Sequence, residues 1–144
     1  MTCVRGASAL QSSLPPDDPA HPVAVLVVWE PVLLSDLGPP RRSVRARLEG
    51  ARVLQFWDAA RAVSKECVRS AIAHPERLQH GEVVTPDTIA WDVVAVFPPG
   101  ARWGDEMPAP SFYGSTVVDA APELRTLLAA PALAPVPASA PAVP

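Results

Sequence analysis

Two cysteines, Cys3 and Cys67, carry the most reactive side chains of this chain. Cys3 opens a segment, residues 3–14, whose apolar residues recur at helical spacing. A helix N-terminus favours the thiolate, the attacking form in disulfide exchange, so Cys3 is a candidate nucleophile. The plainer interpretation is a cysteine without a chemical task, because one thiol cannot cycle as a dithiol. Cys67 lies on the inward face of an amphipathic segment, which favours a buried, inert thiol.

Two predicted strands each end on a tryptophan that is followed by an acidic residue, as Trp29-Glu30 and Trp57-Asp58. The carboxyl ends of parallel strands line the ligand crevice of α/β sheets, so the four side chains are candidate binding residues. The simpler alternative, which we favour, makes the tryptophans core anchors and the acids loop or capping residues. Asp58 already stands where a helix cap is expected.

The loop 98–110 is the most distinctive stretch outside the predicted core, and it contains a further candidate binding residue, Trp103. It is either a recognition loop or a stiff connection held by proline and tryptophan. No phosphate-binding glycine loop, nucleophile elbow or His-Glu-x-x-His motif occurs. His74 and His80 match no closed zinc site with Cys67. We therefore expect no metal and no cofactor.

The elements that position these residues are organised around the apolar run 23–29, which Pro22 and Pro31 bracket. A continuous, largely β-branched run predicts a strand covered on both faces. Helices and strands are expected to alternate, which predicts an α/β fold with right-handed crossovers. The predicted helices are 3–14, 41–50, 59–73 and one that Asp119 caps; the predicted strands are 23–29, 53–57, 89–97 and 112–118, the last antiparallel to its predecessor.

Composition limits the remaining choices. The 144 residues suit one domain, and a net charge of −3 argues against a general nucleic-acid binder. The longest apolar run has seven residues, too few for a membrane span, and no signal peptide is evident, so a cytoplasmic protein is expected. Residues 131–144 contain only Ala, Pro, Leu, Val and Ser and predict a disordered tail after a domain at 1–130.

Three phrases carry a resemblance: Val-Val-Trp-Glu-Pro, Phe-Trp-Asp and Ala-Trp-Asp-Val-Val-Ala-Val-Phe-Pro-Pro-Gly-Ala-Arg-Trp. With the order of elements, they resemble a little-characterised group of thioredoxin-like proteins, over roughly residues 1–128. The resemblance implies a three-layer sandwich, with helices on both faces of a mixed sheet. The first core strand of such a sheet is missing here.

The resemblance also implies chemistry. Thioredoxin-like proteins hold a Cys-x-x-Cys at the start of their first helix, and Cys3 matches its second cysteine while the first is absent. A cis-proline normally precedes the third core strand, whereas Pro86 lies too early for that position. The implied function is that of a thiol–disulfide redox lineage whose partner is a protein thiol or disulfide; the incomplete Cys-x-x-Cys leaves open whether the chain is inactive or reacts through Cys3 with an upstream partner cysteine. The alternative is a non-catalytic interaction domain that uses the loop 98–110 or the proline-rich tail.

A missing central strand would leave two strand edges unpaired. Either the chain starts upstream of residue 1, or residues 23–29 and 89–97 pair directly. Without a preceding strand, a homodimer through exposed strand edges is a further expectation. Neither a nucleic acid nor a membrane is expected as a partner.

Overall fold

Helices and strands alternate along the chain as predicted. The structure, a computed structural model, describes residues 2–16, 22–77 and 84–129. Within these residues the elements, in order, are α1 Thr2–Ser13, β1 Val25–Trp29, α2 Arg42–Arg45, β2 Val53–Trp57, α3 Ala62–Ala73, a 3-10 turn at Pro75–Arg77, β3 Val93–Val96, β4 Phe112–Ser115 and α4 Val117–Ala129. The α/β class is confirmed, and the three-layer sandwich stays a prediction.

The strands form two pairs. β1 and β2 are parallel, in a register that runs from Val25 opposite Val53 to Trp29 opposite Trp57. β3 and β4 are antiparallel, as the sequence predicts. In the described part of the chain these pairs are separate two-stranded sheets, so direct pairing of residues 23–29 with 89–97 is wrong. One edge of β1 and one edge of β3 are therefore left without a strand partner among the described residues.

The β1–β2 pair is less covered than the apolar run suggests. Leu26, Leu54 and Phe56 are 65%, 55% and 50% exposed. Because successive side chains alternate between the faces of a strand, these three share one face of the pair. The expectation that residues 23–29 are covered on both faces is therefore wrong. The reason is architectural: burial of both faces requires a layer on each side, and this face lacks one.

The tightest packing lies at the other sheet. Phe112, Ala120 and Leu124 form the buried cluster, and these partly buried apolar residues surround it: Leu10, Val94, Val96, Leu127 and Leu128. Gly114 lets β4 approach α4 closely, since a methyl group there would lie 2.6 Å from the Cβ of Ala120. Helix α1 packs on α4, where Ser13 is buried and its hydroxyl donates to the carbonyl of Ala121 at 3.5 Å.

Two helix starts differ from the prediction. α4 begins at Val117, and Thr116 is its cap: the Thr116 hydroxyl accepts the N–H of Asp119 at 3.4 Å and donates to the Asp119 carboxylate at 2.8 Å. Asp119 thus lies in the first turn, where a negative charge suits the helix dipole. α3 begins at Ala62 with Arg61 at its N-cap position, so Asp58 is not the N-cap, although its carboxylate still accepts the N–H of Val63.

The predicted tail, residues 131–144, lies outside the described residues. Across the ranges that the structure does describe, no helix has the length and apolar character needed to cross a membrane.

Candidate functional site

The two tryptophans and two acidic residues that were predicted to lie together do so, at the carboxyl ends of β1 and β2. Trp29 and Trp57 are the last pair in the β1–β2 register, and the carbonyl of Trp29 accepts the N–H of Asp58 at 2.9 Å. Glu30 and Asp58 follow directly, one after each strand. Parallel pairing brings the two carboxylates to the same end of the sheet.

Both carboxylates are bound to the N-terminus of α3. Asp58 accepts the N–H of Ala60 at 3.1 Å with Oδ1 and that of Val63 at 3.0 Å with Oδ2. Glu30 accepts the N–H of Ser64 at 2.9 Å. The first N–H groups of a helix have no partner inside the helix, so the contacts to Val63 and Ser64 satisfy two such donors, and the contact to Ala60 orders the turn just before α3. The geometry is that of a helix cap, and a ligand-binding role for these acids stays a prediction.

Burial raises the pKa of Glu30, and the nearby negative charge of Asp58 raises it further. The hydrogen bond from Ser64 and the positive charge of Arg61 oppose this rise. Glu30 therefore keeps a proton to higher pH than an exposed glutamate does.

Trp29 is held as an anchor. Its indole N–H donates to the side-chain oxygen of Gln55 at 2.9 Å. The Gln55 amide in turn donates to the carbonyls of Arg45 at 3.0 Å and Leu48 at 2.7 Å. A half-buried indole N–H needs a hydrogen-bond partner, and Gln55 supplies it. The same Gln55 side chain connects β2 to the end of α2 and to Leu48.

A second group of side chains joins α3 to the loop that contains Trp103. Glu66 is buried, and its carboxylate accepts the N–H of Met107 at 3.2 Å and forms an ion pair with Arg69. The thiol of Cys67 lies 3.8 Å from the sulfur of Met107. Met107 is itself buried, so the loop is fixed to the helix four residues after Trp103.

Burial raises the pKa of Cys67 to about 11, and the charges of Glu30 and Glu66 add to the rise. A thiol with so high a pKa carries almost no thiolate at neutral pH and is a poor nucleophile. The prediction that Cys67 is buried is confirmed.

Trp103 lies beside α3. Its side chain is 48% exposed and borders a groove of about 450 Å³, together with residues from the start and outer face of the helix. Glu30 and Asp58 therefore bind the N-terminus of the same helix whose outer face meets Trp103.

Cys3 lies elsewhere. Its backbone is in the first turn of α1, as predicted, and its side chain lies outside the described part of the structure. One turn later, Gly6 is packed against Asp92: a methyl group on Gly6 would lie 2.6 Å from Oδ1 of Asp92. The backbone of Asp92 has a φ of 55°, a region that aspartate and asparagine tolerate better than most residues.

Asp92 has an unsatisfied polar atom in this region: its Oδ2 is buried and has no hydrogen-bond partner among the residues that the structure describes. Burial raises the pKa of Asp92, and the charge of Asp119 adds to the rise, while the N–H of Val117 opposes it. The sequence places Asp92 in a tryptophan–acid pair but does not indicate that it turns toward α1.

Glu66 and Met107 are also residues of the candidate site that the sequence does not single out. A glutamate between Lys65 and Cys67 in an amphipathic helix is typical of a solvated position, and a methionine in a proline-rich loop carries no pattern. Only their contact with each other identifies them. Within residues 2–16, 22–77 and 84–129, no group of three or more His, Cys, Asp or Glu side chains could hold a metal ion.

No protein-family model matches this chain, and no curated protein or solved structure matches it. Functional proposals for the chain therefore rest on its own residues.

Proposed function

We propose that this chain is a thiol–disulfide exchange protein of thioredoxin-like lineage in which Cys3 is the reacting thiol. The observation that carries the proposal is the position of Cys3 in the first turn of α1, a helix of 12 residues. The unpaired N–H groups and dipole of a helix N-terminus favour a thiolate there. In this proposal β1–β2 and β3–β4 belong to one three-layer sandwich.

The proposed step is an exchange. The Cys3 thiolate attacks one sulfur of a disulfide, the sulfur–sulfur bond breaks, and Cys3 forms a mixed disulfide. The displaced sulfur leaves as a thiolate and takes a proton from solvent. A second thiol, supplied by a partner cysteine or another molecule, then displaces Cys3 and completes the exchange. Cys67 cannot fill that role in the folded chain, because it is buried and its pKa is raised to about 11.

The test compares the folded chain with a peptide of its first six residues, which is too short to form a stable helix. Each is mixed with glutathione disulfide at pH 7, and the mixed disulfide is followed by intact mass spectrometry. We expect the folded chain to react about ten-fold faster than the peptide, because a larger share of its thiol is ionised.

Two variants assign the reacting residue. Cys67→Ala should react at the rate of the unmodified chain, and Cys3→Ser should form no mixed disulfide until it is unfolded. A Cys3→Ser variant that reacts like the unmodified chain would remove Cys3 from the reaction. Equal rates for chain and peptide would show that α1 does not activate the thiol and would end the proposal.

A further inference from the structure

The outer face of α3 and the Trp103 loop together form a surface that the exchange chemistry does not use. We name it the α3–Trp103 groove, and it has a volume of about 450 Å³. Volumes of a few hundred Å³ suit small ligands or a few residues of a peptide. The groove is lined by Ala60, Ala62, Val63, Lys65, Glu66, Arg69 and Trp103.

The loop side of the groove is held in place. Met107 is buried and its N–H donates to Glu66 on α3, while its sulfur contacts Cys67. These contacts fix the loop a few residues after Trp103, and the half-exposed indole stays available at the groove wall. A wall fixed before binding lowers the ordering cost that a ligand would otherwise meet.

The rim of the groove is cationic. Lys65 and Arg69 are both exposed and stand one turn apart, on the same face of α3. Lys65 donates to the carbonyl of Ala60 and Arg69 pairs with Glu66, so most of the N–H donors on each cation remain free for a ligand. The one carboxylate that lines the groove, Glu66, is occupied by Arg69 and by the N–H of Met107.

Three apolar residues with small side chains, Ala60, Ala62 and Val63, also line the groove, and we call them its floor. Tryptophan and arginine are the side chains most enriched among residues that dominate protein interfaces. The groove therefore offers contact for one apolar side chain between two positions that attract negative charge.

We propose that the α3–Trp103 groove binds a short acidic peptide segment, with an apolar side chain on the floor and flanking carboxylates at Lys65 and Arg69. Charge complementarity at Lys65 and Arg69 selects the acidic flanks, and the apolar floor selects a peptide over a nucleic acid. The proposal stands independently of Cys3.

The probe is a fluorescein-labelled hexapeptide of alternating glutamate and leucine with blocked ends, and its binding to the full chain is followed by fluorescence anisotropy. A peptide with glutamine in place of glutamate tests charge. A single-stranded oligonucleotide of the same net charge tests the competing ligand class. The variant Lys65→Gln/Arg69→Gln removes the rim charges. The matched control, Arg47→Gln/Arg125→Gln, removes two exposed positive charges elsewhere.

We expect the rim variant to weaken binding of the acidic peptide about ten-fold or more, and the control variant to change it less than two-fold. Trp103→Ala should weaken binding by a similar factor, and added salt should weaken it in the unmodified chain. The glutamine peptide should not bind measurably.

Three results would overturn the proposal: no binding of the acidic peptide, equal binding by the rim variant, or tighter binding of the oligonucleotide through the same two cations. Circular dichroism of each variant checks that the helices are retained, and none of these outcomes depends on the reactivity of Cys3.

Discussion

Cys67 and Asp92 are two side chains whose ionised forms the fold disfavours, for the same physical reason. Burial removes water from each group, and nearby carboxylates make a further negative charge costly. For Cys67 the result is an inert thiol that packs against Met107. In Asp92 the buried Oδ2 also has no hydrogen-bond partner within the described residues, and this costs stability whenever the carboxyl is ionised.

Asp92→Asn should therefore stabilise the chain at neutral pH. The folded-state pKa of Asp92 is raised above its usual 3.8, so its favourable contribution is complete below pH 3.8 and is lost as the pH rises through the folded-state value. Asparagine mimics the protonated form and tolerates the positive φ. We expect a gain of about 1 kcal/mol at pH 7 and almost none at pH 3.5, measured by urea unfolding.

Asp105→Asn is the control for that measurement, because Asp105 is exposed. Its effect should be within about 0.5 kcal/mol at both pH values. A loss of stability in Asp92→Asn at pH 7 would show that the ionised carboxylate is favourable in the folded chain.

At the scale of elements, the segment Ala90–Asp92 connects two parts of the molecule. The N–H of Ala90 donates to the hydroxyl of Ser64 on α3 at 2.9 Å. Two residues later, Asp92 packs against Gly6 on α1 and its carbonyl accepts the N–H of Val117 on α4. Three helices are thus tied to the residues that lead into β3. Because these contacts all involve the residues just before β3, that segment helps to hold α1 in place.

The start of α3 depends on Asp58, which binds the N–H groups of Ala60 and Val63. Asp58→Ala should leave both donors without this acceptor and lower the free energy of unfolding by about 1 kcal/mol. Urea unfolding monitored by circular dichroism measures the change. Asp105→Ala, at an exposed position outside any helix, should change stability by less than about 0.5 kcal/mol. Equal effects of the two substitutions would contradict the capping role of Asp58.

At the scale of the whole molecule, apolar side chains are distributed unevenly. The cluster around Leu124, which α1, α4, β3 and β4 share, is closed to solvent. By contrast, the β1–β2 pair and the loop between β1 and α2 expose large apolar side chains, including Leu26 and Leu37. Stability should therefore be concentrated at the α1–α4 side.

This asymmetry predicts opposite outcomes for the same substitution. Leu124 is 1% exposed, so Leu124→Ala removes buried apolar volume and should cost about 2–5 kcal/mol. Leu37 is 93% exposed, and Leu37→Ala should change stability by less than about 0.5 kcal/mol. Thermal and urea unfolding of both variants provide the comparison. A similar loss in the two variants would contradict this asymmetry.

Local patterns in the chain were enough to predict the order and type of the elements, the directions of both strand pairs, the helix that begins around Cys3 and the burial of Cys67. Each of these depends on neighbours in sequence: the period of apolar residues, a capping side chain before a helix, or a proline at an end.

The tertiary structure alone decided that β1 and β3 do not pair among the described residues, that Leu26 is exposed, and that Asp92 faces Gly6. It also decided that Met107 fixes the Trp103 loop to α3. The physical reason is that an apolar or charged residue has the same local pattern whether or not another layer lies over it. Burial, pKa and groove shape depend on which distant segments pack together, and the spacing of residues along the chain does not contain that information.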